Sequence, residues 1–266
     1  MTALDIGFSP CPNDTSIFHA MIHGFVDTEG LSFMPHIFDV EELNRKAFDG
    51  IFPVTKLSFY AWLKLKESYD LIDSGAALGY GCGPLLVGKT KGLPGKNARI
   101  AIPGEYTTAH LLLKLWNNEL TNVHITRFDK IMKGVKEGVY DAGLIIHEGR
   151  FVYQTYGLEK IVDLGEWWEQ ETGFPIPLGC IAIRKDKKTS ALKSKVESIL
   201  KKSVLFSLEN RYVSREYVKT LAQEMDDQVI DGHIDLYVNR FTVSLGTGGL
   251  QAIQKLEEMA SCRNIL

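Results

Sequence analysis

The sequence predicts an α/β fold of two similar lobes facing each other across a cleft. Three observations carry this reading. Strand and helix signals alternate from the first residues onward. The same order of signals restarts near residue 99, and a Gly-, Pro- and Lys-rich stretch, "VGKTKGLPGKNAR", separates the two runs.

The elements follow in order. "LDIGF" sets Leu4, Ile6 and Phe8 on one side of a strand. "TSIFHAMIHG" then repeats apolar residues at helical spacing (Ile17, Phe18, Met21, Ile22), with Asp14 or Thr15 as N-cap and Gly24 as stop. "LSFMPHIF" reads as a strand, "VEELNRKAFDG" as an amphipathic helix, "IFPVT" as a short strand and "LSFYAWLKLK" as an apolar, aromatic helix. A β-α-β-α order implies a largely parallel sheet with helices on its faces.

In the second run, "ARIAIPGEYTTAHLLLKLWNN" is a strand, a Pro-Gly turn, a threonine cap and a helix with Ala109, Leu112, Leu113 and Trp116 on one stripe. "VHITRF", "DKIMKGVKEG" and "YDAGLIIHEGR" continue as strand, helix and strand. Thr15 and Thr107 stand 92 residues apart, as do Thr55 and His147. Asp49 and Asp141 precede Thr55 and His147 by the same six positions, a weak internal repeat. A return crossing is expected at "ETGFPIPLGC", with "CIAIRK" as one more strand. The tail is helical: "ALKSKVESILKKSVLFSLEN", "REYVKTLAQEM" and "GGLQAIQKLEEMAS". The expected division is therefore a first lobe of 1–88 plus 180–266 and an inserted second lobe of 98–178. The crossings are expected at 89–97 and 174–180.

Composition narrows the function. The chain has 266 residues, 45% hydrophobic and 24% charged, as an ordinary globular protein does. A net charge of −3 offers no basic stripe to neutralise phosphates, so nucleic acid is not an expected partner. The most basic stretch, "RKDKKTSALKSKVESILKK", reads as a solvated helix face. No segment approaches the length of a membrane span. The opening "MTALDIGFSP" lacks a basic start followed by an apolar run, so a cytoplasmic location is expected. Cys11, Cys82, Cys180 and Cys262 form no C-x-x-C pair and read as reduced thiols, either small buried fillers or, for Cys11 and Cys82, neighbours of a pocket.

Ligands of open parallel sheets bind beyond the carboxyl ends of strands. "SPCPND", "VTKLS", "PGEYTT" and "IIHEGR" all occupy that position. Thr107 and Thr108 begin a helix, which suits a carboxylate or phosphate; the same residues are also simple N-caps. Lys56 leaves a strand and either meets an anion or faces water. His147 is the first polar residue after the uniformly apolar "AGLII", so it is either a proton acceptor or a structural end to the strand. Its neighbour Glu148 points the other way and is a poor orienter. His19 and His23 share metal-ligand spacing but have no third ligand, while His36, His110, His124 and His233 have no chemical company. Nucleotide loops and a G-x-S-x-G elbow are missing. Acid–base work in a cleft, or binding alone, remains.

Together "SPCPNDT", "GEYTTAHLLL", "DAGLIIHEG" and "HIDLYVNRFTVSLGTGG" resemble the 1,4-dihydroxy-6-naphthoate synthase family, over Ser9 to Gly249. "SPCPNDT" is the most specific of the four. The resemblance implies a two-lobe fold like the type II periplasmic binding proteins. It implies a lyase of the futalosine route to menaquinone, which splits a dihydroxyacetone fragment from a cyclic substrate carrying an aromatic carboxylate. It assigns the proton acceptor to His147 and ligand contacts to Lys56, Leu57, Ser58, Thr107 and Thr108, with Asn13 and Asp14 on the signature turn. It requires no metal and no organic cofactor. Rival readings are a non-catalytic solute-binding protein of the same architecture and chorismate dehydratase.

Overall fold

The structure is a computed structural model that describes residues 2–222 and 226–266; the end of the expected "REYVKTLAQEM" helix lies outside them. Strand β1 (Thr2–Phe8) leads into helix α1 (Pro12–Ile22), followed by β2 (Leu31–Ile37), α2 (Val40–Phe48), β3 (Val54–Ser58), α3 (Phe59–Lys64), β4 (Tyr69–Leu71) and β5 (Ala77–Gly79). Next come β6 (Leu85–Gly88), β7 (Ile100–Ile102), α4 (Thr108–Trp116), β8 (Val123–Ile125), α5 (Phe128–Glu137), β9 (Ala142–Ile145), α6 (Gly149–Val152) and β10 (Glu159–Asp163). Helix α7 (Leu164–Thr172) precedes the long strand β11 (Ile176–Arg184). The helical remainder comprises α8 (Lys187–Ser190), α9 (Lys193–Glu209), α10 (Arg215–Leu221), α11 (Asp227–Tyr237), α12 (Arg240–Val243) and α13 (Gly246–Cys262).

Two sheets form, in the orders β2-β1-β3-β11-β4, with β5 also on β11, and β10-β6-β9-β7-β8. Each is mixed rather than largely parallel. β1 runs parallel to β2 and β3, and β7 parallel to β8 and β9, as β-α-β units should. β11 and β6, the strands that bring the chain from one sheet to the other, pair antiparallel with β3 and β9.

The sheets move the expected boundaries. β6 pairs with β9 and β10 in the second sheet, so the first crossing is residues 80–84, not 89–97. The 89–97 stretch has linker composition because it is an exposed loop of the second sheet, where Gly, Pro and Lys serve equally well. On return, β11 is already paired with β5 at Ile176, so residues 176–180 are sheet rather than hinge.

One buried cluster (Leu4, Ile6, Phe8, Phe18, Ile181, Ile199 among others) fills the space between the first sheet and α1, α9 and α11. A second lies under α5. The third is continuous between the sheets, running from Leu57 and Phe59 through Leu112 and Leu144 to Trp168 and Leu256. The strand ends are thereby held facing one another.

Candidate active site

The turn between β1 and α1 explains its own composition. Pro12 occupies the first helical turn, where its missing N–H costs nothing, and Cys11 is the N-cap without a side-chain cap bond. Asp14 sits in that first turn, fully buried, where the helix N-terminus favours its charge. Its Oδ2 accepts from Ser9 Oγ (2.7 Å) and the Ser9 amide (3.4 Å). Its Oδ1 accepts from Asn13 Nδ2 (2.9 Å) and from Lys56 Nζ (2.5 Å). A buried carboxylate with four donors is satisfied as a charge, and Lys56 is its counter-ion.

Lys56 and Ser58 project from β3 into a cavity, and the period of two turns Thr55 and Leu57 away from it. Leu57 is wholly buried in the inter-sheet cluster and is no part of the cavity wall, so the expected contact at Leu57 is corrected. Asn44 Nδ2 donates to Ser58 Oγ (3.1 Å) and Asn44 Oδ1 accepts from the Ser58 amide (2.9 Å), fixing that rim. Across the strand pair, Gly179 faces Ser58; a Cβ there would stand 2.9 Å from Lys56 Cε and 3.2 Å from the Leu57 carbonyl oxygen. Only glycine leaves room for the lysine to cross.

From the second sheet, Thr107 caps α4: its Oγ1 accepts from the His110 amide (3.3 Å) and donates to the Gly104 carbonyl (3.0 Å). Thr108 Oγ1 donates to the Leu178 carbonyl (2.7 Å) and accepts from the Tyr60 amide (3.3 Å). Both hydroxyls are thus engaged within the protein. What α4 offers the cavity is its backbone, since the first N–H groups of a helix have no intrahelical acceptor. Glu41, which sequence reading passed over, holds this loop from the opposite sheet. Its carboxylate accepts from the Glu105 (2.9 Å) and Tyr106 (3.1 Å) amides and from Arg45 Nε (3.1 Å). A turn such as "PGEYTT" exposes successive amides that need an acceptor, and that was the only available signal.

His147 stands at the exit of β9 with φ 56°, the left-handed region that residues other than glycine seldom adopt. This conformation turns the imidazole off the strand line and into the cavity. Its Nδ1 lies 3.3 Å from Cys11 Sγ, and the Phe128 ring meets it edge-on at 5.1 Å. Its Nε2 is closed off from solvent and has no protein hydrogen-bond partner. Burial pushes the ring down to about 4, against the Asp14 carboxylate, which raises it, and with Lys56, which lowers it; at neutral pH the imidazole is uncharged. Burial also pushes the Cys11 thiol well up, with Glu148 and Asp14 adding to it, so the sulfur stays protonated.

His233, set aside on sequence, lies in α11 and faces the same cavity. Its ring stacks with that of His147 at 6.4 Å and packs on Tyr237 at 4.6 Å. Its Nε2 is 2.9 Å from Asn13 Oδ1. Asn13 Nδ2 points at the acceptor-only Asp14, so Asn13 Oδ1 must accept and His233 Nε2 must carry the hydrogen.

The cavity so built takes walls from both sheets: Asn13, Asp14, Lys56, Thr107, Thr108 and His147, with Tyr237 and Cys82 behind. Its enclosed space is about 80 Å³ and opens toward solvent. Among the described residues no group of three or more His, Cys, Asp or Glu could hold a metal ion, and no helix is long and apolar enough to cross a membrane. His19 and His23 stack on each other at 4.5 Å instead.

A family model described as menaquinone biosynthesis matches residues 4–262. The chain is 42% identical to the 1,4-dihydroxy-6-naphtoate synthase of Thermus thermophilus, covering 100% of this chain and 96% of that one. It is 39% identical to the enzyme of the same name from Streptomyces coelicolor, covering 99% and 94%. The crystal structure of protein AF1704 from Archaeoglobus fulgidus is 35% identical, with a TM-score of 0.94 over 99% of this chain and 98% of that one. The ligand-binding component of an ABC-type import system from Staphylococcus aureus (14% identical, TM-score 0.72, over 100% of this chain and 93% of that one) and the alkanesulfonate-binding protein SsuA from Xanthomonas axonopodis (13% identical, TM-score 0.72, over 100% and 94%) share the periplasmic-binding-protein-like fold.

Proposed function

The chain belongs to the menaquinone-biosynthesis family, and we propose that it converts cyclic dehypoxanthine futalosine to 1,4-dihydroxy-6-naphthoate with release of dihydroxyacetone. That it is a synthase of menaquinone biosynthesis follows from the family; the substrate, the lyase step and the roles below are our reading. The observation that carries it is His147 Nε2, a shielded, unpartnered ring nitrogen of an uncharged imidazole on the wall of the shared cavity.

In this reading the first amides of α4, at Thr108 and Ala109, receive the aromatic carboxylate of the substrate. Lys56 contributes little net charge, because Asp14 already neutralises it. With the acid end anchored, the sugar-derived ring lies toward the histidines. In the tautomer that carries its hydrogen on Nδ1, 3.3 Å from Cys11 Sγ, His147 keeps an Nε2 lone pair, which in this reading removes a proton and breaks the ring C–O bond. A retro-aldol cleavage then releases the three-carbon fragment, and aromatisation drives the sequence to completion. The residues named position the substrate and move its protons.

The test offers the purified chain cyclic dehypoxanthine futalosine and follows the naphthalene diol by its absorbance. Catalytic formation of 1,4-dihydroxy-6-naphthoate is expected. Binding without turnover, or conversion of chorismate to enolpyruvyl-benzoate instead, overturns the reading.

A further inference from the structure

Two ring nitrogens are the only buried side-chain polar atoms without a hydrogen-bond partner among the described residues: Nε2 of His147 and Nδ1 of His233. Both residues line the cavity and their rings lie 6.4 Å apart. An orphaned buried acceptor costs about 1–3 kcal/mol, so one retained on a cavity wall points to something that fills it. Building on the reaction proposed above, we propose that His233 is a second catalytic base, whose Nδ1 takes the hydroxyl proton in the carbon–carbon cleavage, while His147 serves the earlier ring opening.

The hydrogen-bond chain fixes the chemistry of each nitrogen. Asp14 Oδ1 accepts from Asn13 Nδ2, Asn13 Oδ1 accepts from His233 Nε2–H, and Nδ1 is left with a lone pair and no hydrogen. His233, a cavity-wall residue, is therefore locked with Nδ1 as its acceptor, and Asn13 is its positioning residue. His233 is uncharged, driven down by burial first and then by His147 and Lys56. A proton held on His147 opposes a second positive charge at 6.4 Å, so His147 hands its proton to the substrate as His233 takes one up.

The cleavage balances without another reactant. The substrate grouping is a hydroxyl β to a carbonyl. The hydroxyl proton passes to His233 Nδ1 and the O–H pair becomes the new C=O. The pair of the breaking C–C bond moves into the enolate that aromatises, and the enolate oxygen takes the proton that His147 gained in the first step. His233 returns its proton to the alkoxide freed when the ring C–O bond broke, or to solvent, as the three-carbon carbonyl fragment leaves.

The proposal separates two variants that a single-base mechanism would not. Rapid chemical quench of wild type, H147N and H233N with cyclic dehypoxanthine futalosine, read by chromatography and mass, resolves the steps. H233N is expected to lose roughly 10²-fold in kcat with KM changed by less than about threefold. It should also accumulate an enzyme-bound species of unchanged mass and altered absorbance, while H147N leaves the substrate unaltered. N13A, on a different element, is expected to show the same intermediate with a loss of about tenfold in kcat; circular dichroism of each variant checks that it is folded. H233N turning over within threefold of wild type, or stalling at unaltered substrate as H147N does, overturns the role of His233. Failure of wild type to release the diol would instead overturn the reaction assigned above.

Discussion

The Lys56–Asp14 pair gives the sharpest test of how the opening turn is held. Both side chains are buried, at 6% and 1% exposure, so neither ion is relieved by solvent when the other is removed. Deleting one partner of a buried pair costs about 3–5 kcal/mol. In K56M the Asp14 carboxylate keeps Ser9 Oγ, the Ser9 amide and Asn13 Nδ2 as donors, which places the cost at the lower end, about 3 kcal/mol. For a chain of this size that is a fall of roughly 5 °C in Tm. D14N alone leaves an ammonium stranded against neutral groups and should cost about as much. The K56M/D14N double variant strands no charge, so its loss should fall short of the sum by about 2 kcal/mol. Urea unfolding followed by tryptophan fluorescence, at neutral pH, measures all three. A K56M variant within 1 kcal/mol of wild type, or a double variant equal to the sum of the singles, would refute the reasoning.

Three further outcomes are expected. Because the folded His147 titrates near 4 and an unfolded histidine near 6.5, the unfolded chain takes the proton first; this contribution is fully present above about pH 6.5 and declines as pH falls. H147N should therefore lose less stability than wild type between pH 6.5 and 4, by about 3 kcal/mol at the lower end, in urea titrations at each pH. At Cys11, C11S keeps an acceptor for His147 Nδ1–H and should retain most of kcat, whereas C11V removes it and should lose about tenfold with little change in KM. In G104A the new methyl would stand 2.4 Å from the Glu41 carboxylate and displace it from the Glu105 and Tyr106 amides, costing about 1–3 kcal/mol in thermal unfolding; an unchanged Tm would show that Glu41 does not hold that loop.

Some of this was legible in the sequence. His147 stood out because an unbroken apolar strand ends on it, and it does line the cavity, though the strand alone left a structural end equally open. The β-α-β order of each half was equally plain. What failed did so for identifiable reasons. His233 sits mid-helix, and its partner Asn13 is 220 residues away, so no local spacing could reveal the contact. Leu57 lies between two cavity residues in sequence, yet strand alternation sends it into the core. The crossing at 80–84 went unread because "YGCGP" is short, while the longer Gly- and Lys-rich loop at 89–97 has the same composition as a linker. The direction of β6 and β11 depends on which sheet receives them, and periodicity does not report that.

The central claim is that His147 Nε2 removes the first proton from an anchored substrate. Turnover of H147N on cyclic dehypoxanthine futalosine, with substrate affinity measured alongside by calorimetry, tests it most directly. The account predicts a loss of at least roughly 10²-fold in kcat with affinity held within a few-fold. Near-normal turnover in a folded H147N would contradict it.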